Sequence, residues 1–249
     1  MSLQPRIVPV LLLHKGGLYK TKQFKNPSYV GDPINAVRIF NEKQVDELII
    51  LDIDCSKENK APNYALIEEI VSEAFMPVAY GGGISNIEIA KKVFTLGVEK
   101  VIINTSLQNN QQLLGDIAAI YGAQAVVMSI DYKKGFMGGT KAYFVNGTQK
   151  SIYTPQDLAQ IAEKAGAGEI ILNAVDREGT YQGYDISLLK EIVKAVNIPV
   201  VISGGASSNA DFDAAKQAGA SGMAAGSMFV YQRPYNAVLI SYPTNYFYK

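Results

Sequence analysis

The sequence predicts a (β/α)8 barrel, an α/β fold in which eight parallel strands close into a ring surrounded by helices. Short apolar runs rich in β-branched residues alternate with segments of helical period along the whole chain. The 249 residues divide into eight such units of about 31 residues, which suits this fold. The second half of the chain also resembles the first. We therefore expect one barrel domain covering residues 1–249.

Eight segments have the length and composition of buried strands. They lie near residues 6–13, 47–53, 77–80, 100–104, 125–131, 169–175, 199–203 and 222–226. Helices are predicted near residues 33–44, 63–74, 86–96, 109–121, 155–165, 185–195 and 208–218, with a short one after Pro234. Asp32-Pro33 and Thr154-Pro155 mark two helix starts, because each places a capping side chain before a proline. The alternative, a doubly wound open sheet, would need a glycine-rich dinucleotide turn that is missing after the first strand.

A shift of 122 positions aligns the two halves of the chain. Pro33 then meets Pro155, Glu47 meets Glu169, and Gly82-Gly83 meets Gly204-Gly205. Two similar half-barrels of four units each explain these matches.

Composition excludes several classes of function. The chain has 23 basic and 23 acidic side chains and no basic run, so neither nucleic acid nor a membrane surface is an expected partner. One cysteine, Cys55, and one histidine, His14, exclude an intrachain disulfide and a multi-histidine metal site. We expect no metal, no cofactor and a cytoplasmic location, because no signal peptide or membrane-spanning segment is present.

The longest connection between a strand and the next helix runs from Lys133 to Tyr153. Alternating apolar residues around Asn146-Gly147 predict a hairpin with a two-residue turn. We expect this hairpin to form a lid over the active face rather than a second domain.

Four strand ends are rich in small residues. They are Gly81-Gly82-Gly83-Ile84, Asn104-Thr105-Ser106, Ser203-Gly204-Gly205-Ala206 and Ala225-Gly226-Ser227. Glycine lets backbone N–H groups approach an anion, so each cluster could hold a phosphate. The repeat pairs the clusters across the ring, which favours a ligand with a phosphate at each end. Tight turns that need glycine for their geometry are the alternative.

Asp131 is the candidate catalytic residue. If it ends the fifth strand facing inward, then Ala125, Val127 and Ser129 share its face, and a mostly apolar wall would raise its pKa toward general acid–base use. A lone aspartate at this position could also be a helix cap or a turn residue.

The motifs at the strand ends are specific in combination. They are Arg6-Ile-Val-Pro, Asp46-Glu-Leu-Ile-Ile-Leu-Asp-Ile, Gly81-Gly-Gly-Ile, Ile103-Asn-Thr, Ser129-Ile-Asp, Asp176-Arg-Glu-Gly-Thr, Gly183-Tyr-Asp and Ser203-Gly-Gly-Ala. In these motifs the whole chain resembles the HisF-type cyclase subunit of imidazole glycerol phosphate synthase. That family is a histidine-pathway barrel which takes ammonia from a separate glutaminase (HisH-type) subunit, and its reaction is that of a lyase and cyclase.

The resemblance implies roles for individual residues. Asp131 matches one of the family's two catalytic aspartates, Lys20 matches a substrate-binding lysine on the first loop, and Glu178 stands near an aspartate beside the second phosphate. The residues that match the two phosphate sites are Gly82, Gly83, Asn104, Thr105, Gly179, Gly204, Gly205, Gly226 and Ser227.

The other catalytic aspartate is missing. Leu12 stands where the inward carboxylate of the first strand should be, and a leucine cannot transfer protons. His14, two residues further on and therefore on the same face, is the candidate substitute acid–base group, although a histidine near a phosphate is the simpler interpretation. Asn173 replaces a small hydroxyl residue in the same chamber. Strand parity turns Asp52 and Asp54 away from the interior.

The opposite end of the barrel matches the family. Arg6, Glu47, Lys100 and Glu169 match four charged residues that ring the barrel floor and gate ammonia entry. Strand parity supports this placement, and two cations with two anions would neutralise one another when buried. The alternative is a structural plug through which nothing passes.

A paralogous branch of the family is the better match. This branch is associated with acetamidino modification of bacterial surface sugars, and the chain resembles it in Leu11-Leu12-Leu13, Gly16-Gly17-Leu18, Phe24-Lys25-Asn26-Pro27, Val30-Gly31-Asp32-Pro33 and Ala237-Val-Leu-Ile-Ser-Tyr-Pro. The resemblance implies a glutaminase docked at the floor, a phosphorylated small-molecule ligand, and a third protein that uses ammonia to amidate a nucleotide-linked sugar. The alternatives are an authentic histidine-pathway cyclase, a related sugar isomerase, and a non-catalytic ammonia conduit or scaffold.

Overall fold

The computed structural model describes residues 5–135, 138–243 and 246. Its centre is a ring of eight parallel strands. In chain order these are β1 (Arg6–His14), β4 (Leu48–Asp52), β5 (Val78–Gly81), β6 (Lys100–Ile103), β7 (Val126–Lys134), β10 (Glu169–Ala174), β11 (Val200–Ser203) and β12 (Gly222–Ala225). β1 pairs with both β4 and β12, with Val10 opposite Ile49 and Arg6 opposite Gly222, so the ring is closed. The predicted (β/α)8 barrel is confirmed.

Helices surround this ring. They are α1 (Pro33–Glu42), α2 (Cys55–Glu58), α3 (Tyr64–Glu73), α4 (Ile87–Thr95), α5 (Leu113–Tyr121), α6 (Pro155–Lys164), α7 (Ile186–Ala195), α8 (Asn209–Gln217) and α9 (Ser227–Val230). The capping signals in the sequence act as expected: Asp32 Oδ1 accepts from the backbone N–H of Asn35 at 2.9 Å, and Thr154 forms a reciprocal capping box with Asp157. In the part of the chain that the structure describes, no helix is long and apolar enough to cross a membrane.

Alternate residues of each barrel strand face two different cores. One face packs against the helices, as Ile7, Leu11 and Ile50 do. The other face fills the barrel interior with Val8, Val10, Leu12, Ile49, Ala79, Ile102, Val127, Ile171, Val201 and Ala224. Polar residues in phase with the interior face therefore point into the mouth or the floor of the barrel.

Two hairpins extend from the carboxyl ends of barrel strands. β2 (Gly17–Lys22) and β3 (Lys25–Gly31) continue antiparallel from β1, in a region where the sequence predicted no element. β8 (Thr140–Phe144) and β9 (Gln149–Lys150) continue from β7 and form the predicted lid hairpin, of which residues 136–137 lie outside the described residues.

The turn of the lid hairpin differs from the prediction. It comprises the four residues 145–148 rather than two, since Phe144 pairs with Gln149. Val145, Asn146 and Gly147 all have positive φ, and three consecutive left-handed residues cannot be fitted into a two-residue turn.

The predicted short helix after Pro234 is wrong for the described residues. The chain instead forms a two-stranded antiparallel ribbon of β13 (Tyr231–Gln232) and β14 (Ala237–Val238). Pro234 lies in the connection between these strands, and Asn236 has a φ of 51°. Proline and left-handed asparagine both favour a turn over a helix, so the local chemistry outweighs the weak helical pattern.

Candidate active site

A cavity opens at the carboxyl ends of the barrel strands. It contains about 1090 Å³ of space not filled by protein atoms, with the open space at its mouth included. Residues from several strand ends line it, among them Leu12, Gly82, Asn104, Asp131 and Asn173. Because the active sites of enzymes with this fold lie at this end of the barrel, the cavity is the candidate active site.

Asp131 faces this cavity, as strand parity predicted. Its Oδ1 accepts a hydrogen bond from Asn173 Nδ2 at 3.0 Å and lies 3.4 Å from Ser129 Oγ. Burial raises the pKa of Asp131 to about 6, although the hydrogen bonds from Asn173 and Ser129 and the charge of Lys133 act in the opposite direction. A carboxyl group with a pKa near neutrality can act as a general acid or base.

The wall of β1 and β4 in the same cavity is apolar. Leu12 is buried there and packs with Val10 and Ile49, and Leu51 is packed against this group. The chamber therefore has a polar wall on β7 and β10 and an apolar wall on β1 and β4. Leu12, the position at which the resemblance predicted a second carboxylate, thus lies on the apolar side.

His14 does not line the cavity. Its Nδ1 lies 2.6 Å from Asp54 Oδ1, and its ring packs edge-on against Tyr19. The strand-parity prediction for His14 is wrong because the chain turns back from β1 into β2 directly after this residue. His14 pairs with Gly17 of β2 and lies outside the barrel wall. A role for His14 as the substitute acid–base group has no geometric support.

The two aspartates at the end of β4, Asp52 in the strand and Asp54 after it, serve local structure. Burial alone would raise the pKa of Asp54, but hydrogen bonds from the Lys15 backbone and the His14 ring bring it below its usual value. Asp52 lies at the cavity rim, and its Oδ1 accepts from the backbone N–H groups of Asp54 and Cys55 at 2.9 and 3.3 Å. Asp52 therefore holds the turn that leads into α2.

The first two small-residue clusters line the main cavity. A side chain at Gly82 would come within 2.7 Å of the Asp52 carbonyl oxygen, so only glycine fits there. Asn104 Nδ2 donates to the Ser129 carbonyl oxygen at 2.9 Å, and Thr105 Oγ1 accepts from the backbone N–H of Val145 at 3.1 Å. These two side chains position the wall and the lid, while their phosphate-binding role stays a prediction.

The other two clusters form a second, smaller cavity of about 210 Å³. Its lining residues are Glu178, Gly179, Gly204, Gly205, Ala206, Ala225, Gly226, Ser227 and Met228. Gly204 has a φ of 92°, and a side chain there would come within 2.6 Å of the Ala174 carbonyl oxygen. The sequence predicted two small-residue sites on different halves of the ring. In the structure the first and second clusters line one cavity, and the third and fourth clusters line the other.

Lys20 connects the two cavities. It lines the main cavity from β2 and is buried, with its Nζ 3.5 Å from Glu178 Oε1. Glu178 lines both cavities, and a side chain at Gly226 would collide with the Lys20 ammonium group. The second cavity therefore has a cation beside its glycines, an arrangement that suits an anion.

The two hairpins cover the mouth from different sides. The backbone N–H of Gln23 donates to the Glu178 carbonyl oxygen at 2.8 Å, and Asn146 Nδ2 donates to the Ile53 carbonyl oxygen at 2.6 Å. Phe24 lines the cavity beneath the β2–β3 turn and lies close to Gly147 of the other hairpin. Phe24 and Thr21 also line the cavity and were not predicted from the sequence. The Gly16-Gly17 dipeptide after β1 is a turn signal that could have indicated this hairpin.

Four charged side chains form a closed ring at the barrel floor. Arg6 pairs with Glu47 and, at 3.0 Å, with Glu169. Lys100 Nζ lies 2.8 Å from Glu47 and 2.9 Å from Glu169. Each acid thus contacts both cations, and each cation contacts both acids. The predicted floor residues are together, and the apolar barrel interior separates them from the mouth.

A closed (β/α)8 barrel whose two glycine-lined cavities lie at the carboxyl ends of its strands defines the class: an α/β barrel with its candidate site at that end. The chain matches the model of the family described as histidine biosynthesis protein over residues 6–235, and it belongs to this family.

Several relatives cover nearly the whole chain. A Pseudomonas aeruginosa protein named provisionally as imidazole glycerol phosphate synthase subunit hisF2 is 52% identical over 239 residues, which cover 96% of this chain and 95% of that protein. A Leptospira interrogans protein named provisionally as the HisF subunit is 46% identical over 243 residues, covering 97% and 96%. The HisF subunit of Alkaliphilus metalliredigens is 38% identical over 227 residues, covering 91% and 90%. The resemblance to HisF-type subunits is therefore confirmed.

Proposed function

We propose that this chain is an ammonia-conducting barrel subunit that serves acetamidino modification of surface sugars, in lipopolysaccharide or flagellar glycans. One contrast carries the proposal: the four-charge floor is complete, whereas Leu12 occupies the wall from which a second acid would face Asp131. A positioned acid or base is typically worth about 10²–10⁴ in rate. The chain would thus keep the ammonia route and lose the ring closure of the histidine pathway.

The ammonia source in this proposal is a glutaminase subunit docked at the floor. Phe75, directly before Met76-Pro77 and the start of β5, is 87% exposed, and Ile120 near the end of α5 is 54% exposed. Both therefore lie at the floor end, where a docked subunit would cover them. Ammonia would pass the ring and then an interior lined by Val8, Ile49 and Ile102, which favours the neutral molecule because unpaired buried charge is costly.

The ligand of the mouth is a phosphorylated small molecule. Two glycine-lined cavities, with Lys20 between them, fit an ester with phosphates at its ends. Asp131 is the acid–base residue of this site. A third protein, a sugar amidotransferase, would use the ammonia to convert an acetamido group on a nucleotide-linked sugar to an acetamidino group.

The authentic cyclase of histidine biosynthesis is the second candidate. It is favoured by Asp131, whose pKa is raised to about 6 by burial, and by the presence of both glycine-lined cavities. Its reaction would join ammonia to phosphoribulosyl-formimino-aminoimidazole-carboxamide ribotide and, with loss of one water, give imidazole glycerol phosphate and aminoimidazole-carboxamide ribotide.

The test supplies the purified protein with ammonia and this ribotide and measures imidazole glycerol phosphate. We expect at most a trace of product. Leu12→Asp should raise the trace, because it restores a carboxyl group opposite Asp131, whereas the matched variant Leu12→Asn, of similar size and without an acid, should not. Asp131→Asn should abolish any residual turnover.

Complementation of a histidine auxotroph that lacks its cyclase would overturn the proposal in favour of the authentic enzyme. Glutamine hydrolysis by the partner that depends on this barrel, with ammonia released and no cyclised product, would support conduction. A barrel that never stimulates a glutaminase would contradict the proposal.

A further inference from the structure

Asn173 and Asp131 lie side by side on the polar wall of the chamber. They are register partners in the pairing of β10 with β7, and both are buried. The two hydrogen bonds to the carboxyl group, from Asn173 Nδ2 at 3.0 Å and Ser129 Oγ at 3.4 Å, go to the same oxygen, Oδ1. Within the described part of the chain, no donor contacts Oδ2. Because Asp131 lines the cavity, Oδ2 is the oxygen left for a ligand.

We propose that Asn173 is a positioning residue for Asp131, whose amide holds Oδ1 so that Oδ2 is the oxygen that carries the acid proton into the chamber. In a neutral carboxyl group the carbonyl oxygen is a better acceptor than the hydroxyl oxygen, so donation from Asn173 to Oδ1 favours the proton on Oδ2. This inference deepens the proposed function by naming the group that orients its acid. It rests on that function only for the identity of the ligand.

Other charged groups do not hold the carboxyl group in this way. Lys133 lies two residues further along β7 and acts on Asp131 through its charge alone. Tyr143 of β8 is the register partner of Asp131, and its side chain packs against Lys133. The remaining ionisable side chains that line the cavity are Asp52, Lys20 and Glu178. On the facing wall, Leu12 offers neither a donor nor an acceptor.

The experiment follows the Asp131 carboxyl carbon by NMR through a pH titration of the whole chain without ligand, in the wild type and in Asn173→Leu. Removing a donor to the ionised form should move the titration midpoint upward by about one pH unit, a tenfold gain in proton affinity. Asn173→Asp should move the higher midpoint of the resulting pair further, because two neighbouring carboxylates repel each other.

Ser203→Ala is the matched control, since Ser203 is buried, lines the same cavity and pairs in register with Asn173 on the other side. It should leave the midpoint within about 0.3 pH units. Asn173→Thr, which keeps a hydroxyl donor, should restore part of the wild-type value and carries the test if the leucine variant does not fold.

An unchanged midpoint in Asn173→Leu, or in Asn173→Thr if only that variant folds, would overturn the inference, and so would an equal shift in Ser203→Ala. The measurement reports protonation without ligand or partner. Its failure would therefore leave ammonia conduction and sugar modification untouched, and failure of those activities would leave the midpoint where it is.

Discussion

The floor and the mouth of the barrel treat buried charge in opposite ways. At the floor, Arg6 and Lys100 each pair with both Glu47 and Glu169, so every charge has two partners. At the mouth, the direct partners of Asp131 among the described residues are an amide and a hydroxyl, and burial raises its pKa to about 6. Buried charge is tolerated when it is paired, and an unpaired acid tends to take up a proton instead.

This contrast indicates which end is fixed and which end changes its protonation state. The closed ring is a permanent structural layer, and its loss would leave charges uncompensated. In the chamber above it, Asp131 faces a leucine across the barrel, so the chemistry there can change without disturbing the layer below. The proposed conduction at the floor and the proposed chemistry at the mouth are physically separable because an apolar interior lies between the two ends.

The largest expected effect is from breaking the floor. Glu47→Ala leaves Arg6 and Lys100 with Glu169 as their remaining acid, and removal of one partner from a buried ion-pair network costs about 3–5 kcal/mol. The free energy of unfolding in urea should fall by this amount. Glu191→Ala, on the exposed side of α7, should change it by about 0.5 kcal/mol at most. Equal losses in the two variants would mean that the ring is not a buried network.

The next largest effect is a gain in stability, expected when the buried acid at the mouth is removed. The pKa of Asp131 is raised from 3.8 to about 6, so the folded state binds more protons than the unfolded state between these values. Stability should fall as the pH rises from about 4 to 6, by about 3 kcal/mol, and then stay level. Asp131→Asn should therefore be the more stable protein at pH 8 and lose this advantage near pH 4. Thermal unfolding across this range measures it.

Asp116→Asn, at an exposed acid of α5, is the control and should show no such pH-dependent gain. If Asp131→Asn destabilised the protein at every pH, the mouth would be as firmly paired as the floor, and the contrast between the two ends would fail.

Most of the barrel could be predicted because its signals are local. The cap at Asp32 and the capping box at Thr154 need only neighbouring residues, and both helices begin where these signals place them. The inward position of Asp131 followed from the period of two along β7. The floor ring, by contrast, was expected from the family resemblance as well as from parity, since local pattern cannot show that Glu47 and Glu169 meet the same lysine.

The sequence-based predictions are wrong where the local structure depends on contacts between distant parts of the chain. Parity placed His14 in the chamber, but the rule holds only while β1 stays in the barrel wall. The last residue of β1 that pairs with β4 is Leu13, and His14 pairs with Gly17 of β2 instead. The β2–β3 hairpin docks by a hydrogen bond from Gln23 to Glu178, which no local pattern encodes. The ribbon after Tyr231 was mistaken for a helix because a few apolar residues outweighed the turn chemistry of Pro234.

A smaller effect should appear at the mouth when an anion binds. Inorganic phosphate at ten times its dissociation constant should stabilise the protein by about 1.4 kcal/mol, seen as a higher melting temperature. Lys20→Met removes the buried cation beside the second cavity, and a tenfold weaker affinity would reduce this gain to about 0.4 kcal/mol. Lys190→Met, at an exposed lysine of α7, should keep the full gain. An undiminished gain in Lys20→Met would place phosphate elsewhere.

The smallest expected effect concerns the lid. Asn146→Gly removes the hydrogen bond to the Ile53 carbonyl oxygen and keeps a residue that accepts the φ of 53° at this position. One such bond contributes about 1 kcal/mol, so the lid should open about five times more often. The amide of Val145, bonded to Thr105 Oγ1 at 3.1 Å, should exchange its hydrogen faster by that factor.

The amide of Ile7 is the control within the same molecule, because it donates to Asp46 Oδ2 at 3.0 Å beside the floor ring. Its exchange should not change when the lid is loosened, since separate opening events reach the two ends of the barrel. Faster exchange at Ile7 would mean that opening the mouth also opens the floor. The two ends would then form one cooperative unit, and ammonia entry below would be coupled to ligand binding above.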